Sequence, residues 1–360
     1  MNKHKVGIIG ATGMVGQRFV TLLAEHPWFE ITALAASPRS AGRPYAQAVE
    51  GRWKMAQPLP ESVAELRVMS AIDDIDTICG MIDLVFCAVD LDKQAIRELE
   101  EAYAAKGVAV VSNNSAHRWT EDIPMIIPEV NAEHLKLIDD QRNNRGWTTG
   151  CIVVKPNCSI QSYVTVLTAL SQFAPKRAQV TSIQAVSGAG RTLDEWPEMQ
   201  DNIIPYIGGE EEKSEREPRK IWGSVTNGVV AESEGPDISA TCVRAPISDG
   251  HLACVAVDFA TKPSFEQIRD AVARFNAESG VADLPSAPSQ AITLFEDDDR
   301  PQVRIDREIG NGMGVSAGRF RDQGLFDWDF VSLAHNTLRG AAGGAVLTAE
   351  LLVREGYVRS

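Results

Sequence analysis

Apolar runs and stretches of helical period alternate along the first part of this chain. Residues 5–9 read as a strand and 14–25 as a helix; 31–36 form a second strand. A buried strand at 84–88 precedes an amphipathic helix at 92–106, and 108–111 is a further strand. Strands that are apolar at every position, alternating with helices, indicate a parallel sheet covered on both faces. After Cys158 the pattern changes. Residues 159–173 have helical period, whereas 179–187, 239–246 and 252–261 read as longer strands. Ser248-Asp249-Gly250-His251, between the last two, is a turn signal of the kind that joins antiparallel neighbours. This half is therefore expected to be α+β, built on an antiparallel sheet. Residues 329–354 read as one long terminal helix, able to return to the first half.

Composition narrows the picture. A chain of 360 residues suggests two domains, and 44% apolar with 23% charged residues is ordinary for a globular protein. The formal charge of −14 argues against nucleic acid or an anionic membrane as partner, though not against a local anion site. No apolar run reaches the roughly 18 residues of a membrane span, and residues 1–6 lead into a strand without a signal-peptide pattern. Six cysteines are scattered without a CxxC pair. That distribution suits reduced thiols in a cytoplasm and gives no metal site. The acidic runs at 210–212 and 296–299 are expected in exposed loops or helix ends.

The first strand runs into Gly10-Ala11-Thr12-Gly13-Met14-Val15-Gly16 and then a helix. Glycines there allow a tight turn and close approach of a pyrophosphate, and the helix start offers free N–H groups. In this strand–turn–helix context, Gly10, Thr12, Gly13, Met14, Val15 and Gly16 are candidate dinucleotide contacts. The alternative is a glycine turn that serves packing alone. An acid closing the second strand would favour NAD, but Glu30 opens that strand. Its end reads Ser37-Pro38-Arg39-Ser40, which suits the 2′-phosphate of NADP.

Cys158, in Lys155-Pro156-Asn157-Cys158-Ser159, falls between a short strand and a helix. A helix N-terminus would lower its pKa and make it a nucleophile. The other five cysteines read as packing residues inside apolar strands or at their ends. A thiol nucleophile needs a base. His251, at the predicted turn, is the best placed; His4, His26, His117, His134 and His335 have weaker cases. Arg244, near the end of a strand, and Arg118, in the loop beyond a parallel strand, are candidate anion holders.

Together GIIGATGMVGQRF, SNNSAHRW, VVKPNCS, QAVSGAGR, NIIPYIGGEEEK and RAPISDGH resemble aspartate-semialdehyde dehydrogenases over nearly the whole chain. The wording of IIPYIGGEEEK and SPRSAG is similar to the archaeal and fungal branch. The resemblance implies roles. Cys158 matches the nucleophile, His251 the acid/base, reacting as an imidazolium in the reductive direction, and Gln184 the residue orienting the acyl intermediate. Arg244 matches the grip on the substrate α-carboxylate, and Glu210, or its neighbour Glu211, the acid holding the ammonium. Lys213 and Arg118, with Asn157 close by, match the phosphate site. Ser37 and Arg39 match the 2′-phosphate contacts, Ser187 and Gly188 the nicotinamide wall, and Asn336 the residue holding its carboxamide. Ser40, beside them in the strand-end segment, is a candidate cofactor contact on the same reading.

The implied architecture is a Rossmann-like NADP-binding domain, residues 1–156 plus 337–360, and a catalytic and dimerisation domain, residues 157–336. The implied reaction is NADPH-dependent reduction of L-aspartyl 4-phosphate to L-aspartate 4-semialdehyde and phosphate, in the route to lysine, threonine and methionine. A cytoplasmic homodimer or homotetramer is implied as well. Malonyl-CoA reductase shares the thiol chemistry but has no ammonium for Glu210 and Glu211 to bind. N-acetyl-γ-glutamyl-phosphate reductase has an uncharged nitrogen, and glyceraldehyde-3-phosphate dehydrogenase would place a serine at Asn157. A non-catalytic NADP-binding scaffold would be expected to lack the thiol or the base.

Overall fold

In the computed structural model, which describes residues 3–322 and 324–358, the apolar runs of the first half form a six-stranded parallel sheet. Its strands are β1 (His4–Ile9), β2 (Phe29–Ala36), β3 (Val68–Ser70), β4 (Leu84–Cys87), β5 (Ala109–Ser112) and β6 (Cys151–Val154), in the order β3-β2-β1-β4-β5-β6. Every residue of β4, β5 and β6 is buried, because both faces are covered. The strand order reverses between β1 and β4, which opens a crevice at the carboxyl ends. Helix α1 (Met14–Leu23) leaves β1 at that crevice. Helix α2 (Lys93–Ala105) leaves the end of β4, with Asp92 accepting from the Gln94 and Ala95 N–H groups as its cap. Met1, Asn2, Arg359 and Ser360, the outermost residues of the expected first domain, lie outside the described residues.

Helix α3 (Gln161–Ala169) leads into the second half. There follow β7 (Pro175–Gln184), α4 (Glu210–Ile221), a ribbon of β8 (Ser224–Thr226) and β9 (Val229–Ala231), then β10 (Asp237–Arg244) and β11 (His251–Phe259). Helix α5 (Phe265–Ala277), β12 (Ile292–Leu294), β13 (Val315–Arg321), β14 (Trp328–Ala334) and α6 (Ala342–Arg354) complete it. The large sheet has the order β10-β7-β11-β14-β13-β12. It is mixed, not antiparallel as expected: β10 runs parallel to β7 and β12 parallel to β13.

Two further expectations are corrected. β10 and β11 do not form a hairpin, because β7 lies between them. The linking segment bonds back to β7 instead: Ala245 N–H donates to the Gln184 carbonyl, and Val186 N–H to that of Ile247. The expected helix over 329–354 is a strand followed by a helix. Trp328–Ala334 pairs with both β11 and β13, and alternation of buried and half-buried positions over its first residues fits period 2 rather than 3.6. The helix proper starts at Ala342. All but its last two residues are buried, and it packs on α1 and β5, returning to the first sheet.

Candidate active site

Gly10 turns the chain out of β1 with φ +88°, a conformation that favours glycine. Gly10 and Ala11 both donate to the Ala35 carbonyl, which fixes the loop to β2. A side chain on Gly16 would overlap the Gly10 carbonyl oxygen, so Gly16 permits the close packing of α1 on the loop. Gly13 is open, with nothing nearer to an added Cβ than Gly10 O at 3.5 Å. No side chain caps α1, so the N–H groups of its first turn, from Met14 and Val15 on, are left free of side-chain partners next to the loop. Gly10, Thr12, Gly13, Ser37, Ala88 and Val89 line a cavity of about 290 Å³ there. Open backbone at Gly13 and a β2 end without an acid fit a dinucleotide phosphate. Arg39 is exposed on the following loop, and Ser40 is buried. Sequence reasoning missed Gln17. It is buried on α1, and its Nε2 donates to the carbonyls of Thr12 and Arg52 while Oε1 accepts from Lys54 N–H. A glutamine on an otherwise apolar helix face was the available signal.

β6 ends at Val154, and Lys155 N–H still bonds the end of β5, at Ser112 O. Cys158 follows, half-buried, while α3 begins only at Gln161. The expected lowering of the thiol pKa is overturned. Burial, and next the charge of Glu210, push Cys158 up to about 12, against opposing pulls from Arg118 and Arg244. Gly340 lies over Cys158, where an added Cβ would sit 2.7 Å from the Cys158 Cβ. Of the remaining cysteines, Cys79 is in the helix Ile75–Met81 and Cys254 is exposed, so neither fits the buried-strand expectation.

His251 opens β11 and is buried. Ala185 N–H donates to its Nδ1 at 3.1 Å, which places the proton of the neutral ring on Nε2. Nε2 is buried without a protein partner. Burial, and then the positive charge of Arg244, bring its pKa down to about 3. The expected imidazolium is therefore not the resting state; a neutral Nε2–H donor is. Arg244, the last residue of β10, donates through Nη1 to Ala185 O at 2.6 Å, so the backbone of one residue holds both His251 and Arg244. Gly188 packs against the pair: an added Cβ would lie 2.7 Å from Arg244 Nη1 and 3.1 Å from His251 Nε2.

Helix α4 supplies the acids. Glu210 is buried in its first turn and accepts from Asn157 Nδ2 (2.9 Å), Lys213 Nζ (2.8 Å) and Gln184 Nε2 (3.3 Å). These donors hold its carboxyl below the usual range against the opposing effect of burial, itself the largest single influence. Glu211 points elsewhere, accepting from Cys242 N–H. Glu210 and Arg244 both act electrostatically on Cys158 and on His251, which brings the four together. Arg118 donates from Nε to Lys155 O and from Nη1 to Glu217. With Lys93, Trp119, Lys213 and Arg216 it lines a cavity of about 490 Å³. Asn336 is engaged within the protein: Oδ1 accepts from Gly250 N–H, and Nδ2 donates to Ser187 Oγ. It thus braces the turn before His251 against the Ser187 wall. Glu217 and Lys220 went unnoticed in the sequence. Lys220 Nζ donates to the carbonyls of Arg118, Thr120 and Ile123. Their signal was the spacing Glu210, Lys213, Glu217, Lys220 on one helix face.

Residues 5–138 match the model of the semialdehyde dehydrogenase NAD-binding domain, and residues 167–339 that of the semialdehyde dehydrogenase dimerisation domain. The chain is 44% identical to the aspartate-semialdehyde dehydrogenase of Schizosaccharomyces pombe, over 98% of this chain and 99% of that protein. It is 42% identical to the enzyme of that name from Archaeoglobus fulgidus, with the same coverage. Among solved structures it is similar to aspartate semialdehyde dehydrogenase with NADP from Candida albicans. There the TM-score is 0.87 at 36% identity, covering 99% of this chain and 100% of that one.

Proposed function

Since the chain belongs to the aspartate-semialdehyde dehydrogenase family, we propose that it interconverts L-aspartyl 4-phosphate and L-aspartate 4-semialdehyde with NADP(H), through a thioester on Cys158. The observation that carries this is the pairing of a buried carboxylate, Glu210, with a buried guanidinium, Arg244, both bearing on Cys158 and His251. One cation and one anion beside a thiol suit the α-carboxylate and ammonium of an amino acid. An acyl donor without an amine would offer Glu210 no substrate group to bind. NADP is supported by the Ser37–Arg39 loop, by the open Gly13 backbone and by the Candida albicans relative.

In the reductive direction the Cys158 sulfur attacks the acyl carbon and the C–O bond to phosphate breaks. The phosphate leaves toward Arg118 and Lys213 carrying the thiol proton as hydrogen phosphate, so that a thioester remains. The nicotinamide supplies the hydride when bound. His251 Nε2–H donates a hydrogen bond to the carbonyl oxygen as negative charge develops there. Gln184, tied to Glu210, holds the acyl group in line. Collapse of the hemithioacetal alkoxide frees the aldehyde and expels the Cys158 thiolate, which takes up a proton from water. We place the domain limits at 156/157 and 336/337, and propose a cytoplasmic homo-oligomer assembled through the second domain.

The test is NADPH formation from L-aspartate 4-semialdehyde and NADP, with and without inorganic phosphate. Sustained, phosphate-dependent turnover is expected, lost in Cys158→Ser with NADP binding retained. Turnover that ignores phosphate, or an active Cys158→Ser variant, refutes the reading.

A further inference from the structure

We propose that Glu217 is a positioning residue for phosphate transfer, acting through Arg118; the proposal rests on the functional reading above. Glu217 lies seven residues, about two helical turns, beyond Glu210 on α4. It is wholly buried in mid-helix, where an isolated carboxylate is costly. Both of its oxygens are engaged. Oε1 accepts from Arg118 Nη1 at 2.9 Å, and Oε2 accepts from the backbone N–H of Asn157 at 2.6 Å. One carboxylate therefore joins the anion-binding arginine to the residue that precedes the nucleophile. Glu210 meanwhile takes the side chain of that same residue, and Asn157 Oδ1 accepts from Ser159 N–H. Asn157 is thus clamped by two acids of one helix, two turns apart. Arg118 is restrained further by its Nε bond to Lys155 O, and its own carbonyl accepts from Lys220. The guanidinium reaches the wall of the large cavity already turned, and an arriving phosphate meets a donor that needs no reorganisation.

Only a carboxylate suits this position, because both contacts ask for an acceptor. In Glu217→Gln one side of the amide must set an N–H against another donor. The Asn157 N–H is fixed by its loop, whereas the Arg118 Nη1, once released by Glu217, can turn about the Nε bond to Lys155 O. The amide oxygen should therefore stay with Asn157, and Arg118 should give way. Its loss should appear in phosphorolysis and not in thioester formation.

The experiment separates the two steps. Mixing enzyme, NADP and L-aspartate 4-semialdehyde without phosphate gives a burst of NADPH that counts acylated Cys158; adding phosphate gives turnover. Glu217→Gln is expected to keep the burst and the KM for semialdehyde and NADP, while KM for phosphate rises about tenfold or more. In Arg118→Ala the further change Glu217→Gln should add little, because both act on one group. An unchanged or lowered phosphate KM, a burst lost in parallel with turnover, or additive effects in the double variant overturns the proposal. Should Glu217→Gln not fold, Glu217→Asp, which keeps the charge and shortens the reach, is read by the same criteria. An unmodified enzyme that makes no NADPH would sink the functional reading and this proposal together. Normal wild-type turnover with an unaffected variant sinks the proposal alone.

Discussion

The ionisation of Cys158 is where local sequence logic and the folded environment disagree most, and it can be measured. An ordinary thiol has a pKa of 9.0, whereas burial and Glu210 bring Cys158 to about 12. Three pH units make the thiolate about 1,000-fold rarer at neutral pH, and alkylation slows in proportion because the thiolate is the nucleophile. Glu210→Gln removes the second-largest cause, and each unit recovered should speed labelling about tenfold. The assay is iodoacetamide labelling of the Cys158 peptide, followed by mass spectrometry from pH 7 to 10, with N-acetylcysteine as reference. Wild-type Cys158 should lag the reference throughout and keep rising to the top of the range. Glu210→Gln should label faster at every pH. Labelling at the rate of N-acetylcysteine or above near pH 7, with a plateau below pH 9, would show that the approach to α3 outweighs burial. An unchanged rate in Glu210→Gln would remove that charge from the account.

Gly188→Ala places a methyl against Arg244 and His251 and should lower kcat/KM for the semialdehyde by about tenfold or more, with NADP affinity less affected; equal kinetics would show that the wall can yield. Arg39→Ala should raise KM for NADP and leave NAD untouched, and parallel changes for both cofactors would remove it from 2′-phosphate recognition. Arg339 and Glu129 form a fully buried pair at 2.8 Å, so Arg339→Met should cost about 3–5 kcal/mol by denaturant unfolding, and a loss below about 1 kcal/mol would contradict that reading. The pKa of His251 falls from 6.5 unfolded to about 3 folded, so between these values the unfolded chain binds the extra proton. Stability should therefore drop as pH falls through that window, by about 1.4 kcal/mol per unit. His251→Gln should flatten that slope, and an unaltered slope would assign the acid sensitivity to other groups.

The parallel sheet was legible because its strands are apolar at every position and its glycine turn sits between strand and helix. The second sheet was less so. A turn signal such as Asp249-Gly250 says that the chain reverses, not which strand it then joins, and β7 inserts between the two partners. The terminal segment misled for a related reason. Apolar residues dense enough for a buried strand also satisfy a helical template, and only the pairing of β14 with β11 and β13 separates them. Cys158, His251 and Arg244 were found through local wording and resemblance. Glu217 was not, because a glutamate amid Lys, Arg and Glu in a polar helix reads as surface. Its burial depends on Arg118, which is 99 residues away in sequence.

The ion pair between Lys213 and Glu210 has a consequence for how a ligand enters. A lysine ammonium rests 2.8 Å from Glu210 Oε1, and it is the same chemical group as the α-ammonium of an amino acid. The acid thus keeps a resident counterion, and on the proposed reading arrival of the substrate would exchange one ammonium for another at constant charge. No bare carboxylate has to be stripped of water, which lowers the cost of keeping Glu210 buried between turnovers. The displaced lysine already lines the anion cavity, so the amine that evicts it also delivers a cation to the phosphate side. Occupancy by an ammonium-bearing ligand should therefore tighten phosphate binding, and by linkage phosphate should tighten the amine in equal measure.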